Sequence, residues 1–231
     1  MVIDSEEIKK FWEERGKCHE KNCGLTNLEE DPKLRKLKVR LEEEKINEYM
    51  GLNNPKAVIL DLGGGSGYWA LKFAKKANRV YVVDYCLSLI KQGVKNSKEK
   101  GIKNIEFIHA PAQEFKSKIN FDIIFISGLL IYLNDKEIDK LIKNMQNYSK
   151  KGAILILRDG TGIKGRFEII NKFSENLKAN YSAMYRTREE YIKIFKKVGF
   201  GIVKDENMFG EECQLNRFPE TRLRIYKFEK E

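Results

Sequence analysis

Apolar residues recur along the chain in two rhythms. In residues 5–15, Ile8, Phe11 and Trp12 stand at helical spacing behind Ser5 and the acids of a first turn, which predicts a short amphipathic helix. In residues 28–50, Leu34, Leu37, Leu41, Ile46 and Tyr49 recur at intervals of three to five, with Pro32 near the start and Gly51 just past the end. This is a second helix. Beyond Asn53-Asn54-Pro55 the pattern changes to short, largely apolar runs at 58–60, 79–84, 105–109, 121–126 and 153–157. Such runs suit strands buried on both faces, as in a parallel sheet. Amphipathic stretches at 68–76, 87–100 and 135–148 lie between them. The alternation predicts an α/β fold with a doubly wound, mostly parallel sheet.

After the fifth run, residues 161–187 are too long for an ordinary connection, and segments of that kind carry binding function. They read as a helical insertion. Thr187 and Glu190 then form a capping box for a helix reaching Lys197, and residues 201–206 and 221–228 supply two more strands. The expected organisation is an N-terminal helical extension over 1–54 and one domain over 55–231, with a capping insertion at about 160–187.

Chemistry enters at residues 57–70, A-V-I-L-D-L-G-G-G-S-G-Y-W-A, where a strand pattern ends in an acid and a run of glycines before a helix begins. A dinucleotide loop needs G-x-G-x-x-G, but counting from Gly63 and Gly65 puts Tyr68 at the third glycine. A phosphate-cradling loop would end in Gly-Lys-Ser/Thr, and this one holds no lysine. What stands here is acid-x-Gly-x-Gly-x-Gly, from Asp61 through Gly63 and Gly65 to Gly67, with Gly64 between. A second acid, Asp84, ends the next strand, where a carboxylate can accept bonds from both hydroxyls of a ribose.

These residues resemble the nucleoside-binding loop of class I S-adenosylmethionine-dependent methyltransferases. The resemblance covers roughly residues 55–230 and implies seven strands, the last inserted antiparallel, with S-adenosylmethionine as cofactor and S-adenosylhomocysteine as product. It implies cofactor contacts at Asp61, Gly63, Gly64, Gly65, Gly67, Asp84, Tyr85, Ala112, Gln113, Ser127 and Gly128. Pro111 stands where the family commonly has an acid, leaving the Ala112 backbone and Gln113 as adenine partners. The resemblance also implies that the segment holding Tyr132 lines the acceptor cavity and that the N-terminal helix lids the cofactor.

Methyl transfer is an in-line displacement that mainly requires alignment, a dry pocket and a group to take the acceptor's proton. Asp159, Tyr185 and His109 are the candidate bases. Arg166, Tyr181, Tyr185 and Arg186 in the insertion suit the grip of an anionic or aromatic acceptor, and are expected to form one wall of its pocket.

A net charge of +10 permits a nucleic-acid partner, yet the lysines are scattered and no RNA-binding module is present. The expected acceptor is therefore a small or sugar-like molecule; the alternatives are a tRNA, rRNA or protein methyltransferase, or a binding module without catalysis. With no long apolar stretch, no leader-like start and four cysteines fitting a reducing compartment, the expectation is a soluble cytoplasmic protein without a membrane partner. Cys18, His19 and Cys23 offer an incomplete ligand set, so no metal is expected. Oligomeric state is left open.

Overall fold

The computed structural model describes residues 2–17, 31–174 and 179–231. Helices α1 (Ser5–Lys17) and α2 (Pro32–Met50) lead into β1 (Val58–Leu62), a short α3 (Ala70–Phe73), β2 (Arg79–Asp84), α4 (Leu87–Glu99), β3 (Ile105–His109) and β4 (Phe121–Ser127). A 3-10 turn (Leu130–Tyr132), α5 (Asp135–Met145) and β5 (Ser149–Gly162) follow. The chain finishes with β6 (Phe167–Ser174), β7 (Ala179–Tyr185), α6 (Arg188–Lys196), β8 (Phe200–Asn207) and β9 (Thr221–Lys230).

Seven strands form one sheet in the order β3-β2-β1-β4-β5-β9-β8. The first five pair in parallel, and β9 runs antiparallel to both β5 and β8. The chain leaves β1 on one side, through β2 to β3, and returns on the other at β4. That reversal opens a crevice at the carboxyl ends of β1 and β4, where ligands of open α/β sheets bind. One face of the sheet packs Leu60, Ile124 and Leu155 against Ile138 and Leu141 of α5 and Tyr191 and Phe195 of α6. The other packs Ile59, Val80 and Phe125 against Ile46 and Tyr49 of α2 and Phe73 of α3.

Among its described residues the insertion is not helical. Residues 167–174 and 179–185 form the antiparallel pair β6 and β7, a two-stranded sheet separate from the main one. The reason is in the residues: Phe167 and Ile169, then Tyr181, Ala183 and Tyr185, alternate with period two and are rich in side chains that favour strands. Its base is tied down where the Gly162 N–H donates to the Arg186 carbonyl at 2.9 Å. Likewise the helix expected at 68–76 contracts to Ala70–Phe73, with turns on either side. A third apolar cluster joins Ile3 and Ile8 to Ile131, Tyr132, Ala183 and Met184, so the N-terminal segment lies against the 3-10 turn and β7.

Candidate active site

The first acid and the glycines sit at the tip of β1. Gly65, at φ 55°, occupies the left-handed region that favours glycine, and its N–H donates to Asp84 Oδ2 at 2.9 Å. Cys86 N–H donates to the other carboxylate oxygen at 2.8 Å. Asp84 thus welds the ends of β1 and β2 together while keeping lone pairs toward the crevice. A Cβ at Gly64 would lie 2.7 Å from both the Asp61 carboxyl and Val82 Cγ1, so only glycine fits there. Asp61 itself is 1% exposed, and its Oδ2 has no hydrogen-bond partner.

Burial, reinforced by the neighbouring Asp84 charge, pushes Asp61 up to about 8. Burial also raises Asp84, to about 6, against the lowering effect of its two backbone N–H bonds.

One cavity of about 700 Å³ begins here. Its near end is lined by Asp61, Gly63, Gly64, Gly65, Asp84, Tyr85, Ala112, Gln113, Ser127 and Gly128. Helix α1 crosses over it: Ile8 and Trp12 line the cavity, Tyr85 Oη donates to the Ile8 carbonyl at 3.2 Å, and Glu13 accepts from Leu87 N at 2.8 Å. The far end is lined by Tyr132, Tyr181, Tyr185 and Asp159. Asp159 is fully buried and accepts from the N–H groups of Leu130 at 2.8 Å and Gly160 at 2.9 Å. Burial pushes its carboxyl up to about 7, although those bonds and the Arg158 and Arg186 charges pull the other way.

Four residues expected in the site stand elsewhere. His109 is exposed and off the cavity wall, with Nε2 2.8 Å from the Tyr85 carbonyl, to which it donates. Gly67 is also off the wall, and a Cβ there would meet the Phe107 ring at 2.9 Å, so it serves packing. Of the four residues expected to wall the acceptor pocket, Tyr181 and Tyr185 line the cavity and the two arginines do not. Arg166 turns outward to Asp135 and Glu190. Arg186 is buried beneath the turn, bonded to the carbonyls of Leu130 and Leu133 and to Asp135.

Sequence reasoning missed Arg158, which lines the cavity, donates to Ser127 Oγ at 3.1 Å and pairs with the buried Glu42 of α2. The available signal was an arginine ending an otherwise apolar run. Cys18, His19 and Cys23 lie outside the described residues. Among the described residues no group of three or more His, Cys, Asp or Glu could hold a metal ion, and no helix is long and apolar enough to cross a membrane.

Acids at the tips of two adjacent parallel strands, a glycine turn between them and a β9 threaded antiparallel define the class I methyltransferase architecture. Comparison with known proteins agrees: residues 59–152 match the methyltransferase domain family, and the fold is that of solved S-adenosylmethionine-dependent methyltransferases. It is 29% identical over 196 residues to phosphoethanolamine N-methyltransferase 1 of Triticum aestivum, covering 82% of this chain but 36% of that protein. The chain therefore spans about a third of the length of that relative.

Among solved structures, it is similar in fold to magnesium protoporphyrin IX methyltransferase of Synechocystis PCC 6803 with bound SAM. The TM-score is 0.68 at 15% identity, covering 100% of this chain and 99% of that one. It is also similar to 1,6-didemethyltoxoflavin-N1-methyltransferase of Burkholderia thailandensis, solved with that acceptor and S-adenosylhomocysteine. There the TM-score is 0.69 at 13% identity, covering 100% and 92%.

Proposed function

We propose that this chain transfers a methyl group from S-adenosylmethionine to a small molecule that enters the cavity whole. One observation carries the reading: the glycine turn with its two acids and the tyrosine cluster with Asp159 line a single cavity of about 700 Å³. That volume suits a cofactor and a small acceptor side by side. The similar proteins are named for phosphoethanolamine, magnesium protoporphyrin IX and 1,6-didemethyltoxoflavin, so they support a small acceptor without choosing its class.

The residues present fit the cofactor. The unpartnered Asp61 Oδ2 is a buried acceptor awaiting a donor, and Gly64 leaves open the space that a side chain would fill. Asp84 would take the ribose hydroxyls on its remaining lone pairs, Tyr85, Ala112 and Gln113 would flank the adenine, and Ser127 and Gly128 would border the amino-acid end. When bound, the cofactor supplies a methyl group on a positively charged sulfur, which keeps the bonding pair as the methyl leaves. The protein's own part is to align, dry and deprotonate. Helix α1, within the 1–54 extension, would act as the lid that excludes water from the 55–231 domain's crevice. Asp159 and Tyr185 remain candidates for taking a proton at the acceptor end, and His109 does not.

Incubation of the purified protein with methyl-labelled S-adenosylmethionine and separate RNA, protein and metabolite pools tests this. Label should appear in the metabolite pool; label confined to RNA or protein would contradict it.

A further inference from the structure

The far end of the cavity is an aromatic box. Trp12, Tyr132, Tyr181 and Tyr185 all line it, and they arrive from α1, the 3-10 turn and β7. The rings stand nearly perpendicular, Trp12 to Tyr132 at 80° with centroids 5.5 Å apart and Tyr132 to Tyr181 at 89° and 6.1 Å. Their hydroxyls run in a chain, 3.4 Å from Tyr132 to Tyr181 and 3.3 Å from Tyr181 to Tyr185. The Tyr185 ring lies against Gly160, where a Cβ would meet it at 2.6 Å, and the Asp159 charge acts on its hydroxyl across the same cavity.

Asp159 makes its hydrogen bonds to main-chain N–H groups, and among the described residues no lysine or arginine side chain hydrogen-bonds to it. A buried carboxylate without a bonded counter-ion, walled by aromatic faces and phenol oxygens, is an environment for an organic cation. An anionic acceptor, such as a phenolate or a carboxylate, would instead place a second buried negative charge against Asp159. That arrangement is costly.

On the basis of the methyltransferase reading above, we propose that the acceptor is an amine, recognised as an alkylammonium ion by Trp12, Tyr132, Tyr181 and Tyr185 over Asp159. Ring faces attract the diffuse charge, and phenol oxygens accept its N–H groups. To react, the nitrogen gives one proton to Asp159 and so exposes a lone pair. That pair forms the new N–C bond, while the electrons of the broken C–S bond stay on sulfur. The product is again an ammonium ion, one methyl larger, which the same box can hold.

The test uses a matched pair of probes on the protein saturated with S-adenosylhomocysteine: N,N-dimethylethanolamine, charged at neutral pH, and its uncharged isostere 3-methylbutan-1-ol. Calorimetry should show the amine binding roughly tenfold or more tighter than the alcohol. Tyr181→Leu should weaken the amine by about tenfold, whereas Tyr181→Phe, which keeps the ring, should lose less. Equal binding of the two probes, or binding of neither while S-adenosylhomocysteine still binds, overturns the amine assignment and leaves the cofactor reading standing. Failure of the unmodified protein to bind S-adenosylhomocysteine removes the reading beneath it instead. In a labelled-methyl assay across acceptor classes, transfer to amines supports the proposal, and transfer to phenols or carboxylates alone contradicts it.

Discussion

Arg186 donates from Nη1 to the main-chain carbonyl of Leu130 at 2.8 Å, and so buttresses from below the turn that Asp159 holds through the Leu130 N–H. The same guanidinium reaches the Leu133 carbonyl at 2.8 Å and Asp135 at 2.7 Å. Tyr132 lies between these anchored residues, which is how a side chain off the cavity wall shapes the cavity's far end.

Arg186→Ala would remove a donor from the Leu133 carbonyl, leave the Leu130 carbonyl only its 3.2 Å bond from the Leu133 N–H, and open a cavity under the turn. The expected cost is about 3 kcal/mol of stability or more, read from chemical denaturation. A variant as stable as the parent would show that the network contributes nothing.

Asp84→Ala should weaken S-adenosylhomocysteine binding by about 2 kcal/mol, roughly thirtyfold in Kd, through loss of charge-assisted bonds at the ribose. Calorimetry on the folded variant checks this. An unchanged Kd would take Asp84 out of the cofactor site.

The framework was legible in the sequence because buried parallel strands leave apolar runs, and because positions needing glycine and acid at two strand tips leave fixed spacings. Asp61, Gly63, Gly65 and Asp84 all meet at one crevice. The insertion was misread because length and charge were weighed over its period-two alternation. Arg186 was misplaced for a related reason: an arginine beside tyrosines gives no sign in sequence of whether it faces a cavity or satisfies buried carbonyls. The partnership of Arg158 with Glu42, 116 residues apart, is a tertiary fact that no local pattern carries.

Gly64→Ala tests the cradle. With Asp61 and Val82 at 2.7 Å from the added methyl, the loop must shift, at a cost of about 1–3 kcal/mol, and S-adenosylhomocysteine affinity should fall with it. Gly165→Ala, with nothing within 4 Å of its Cβ, is the control. Equal behaviour of the two variants would show that the loop is not tightly fitted.

Cofactor affinity should depend on pH in a defined direction. Asp84, Asp159 and Asp61 are raised to about 6, 7 and 8, so the free protein holds extra protons that folding favours at low pH, and that contribution to stability is lost as pH climbs through this window. A cationic ligand favours the ionised carboxylates, so its binding releases protons and tightens from pH 6 to 8. S-adenosylmethionine, with its charged sulfur, should show a steeper rise than S-adenosylhomocysteine. Calorimetry in buffers of different ionisation enthalpy counts the protons, and proton uptake on binding would reverse the sign.

The most direct measurement is calorimetric titration of the purified chain with S-adenosylhomocysteine, S-adenosylmethionine and NAD in turn. The adenosyl ligands should bind one site and compete with each other, while NAD gives no heat, because Tyr68 occupies the place of a third glycine and no pyrophosphate turn forms. Tight binding of NAD with no response to either adenosyl ligand would contradict the account at its centre.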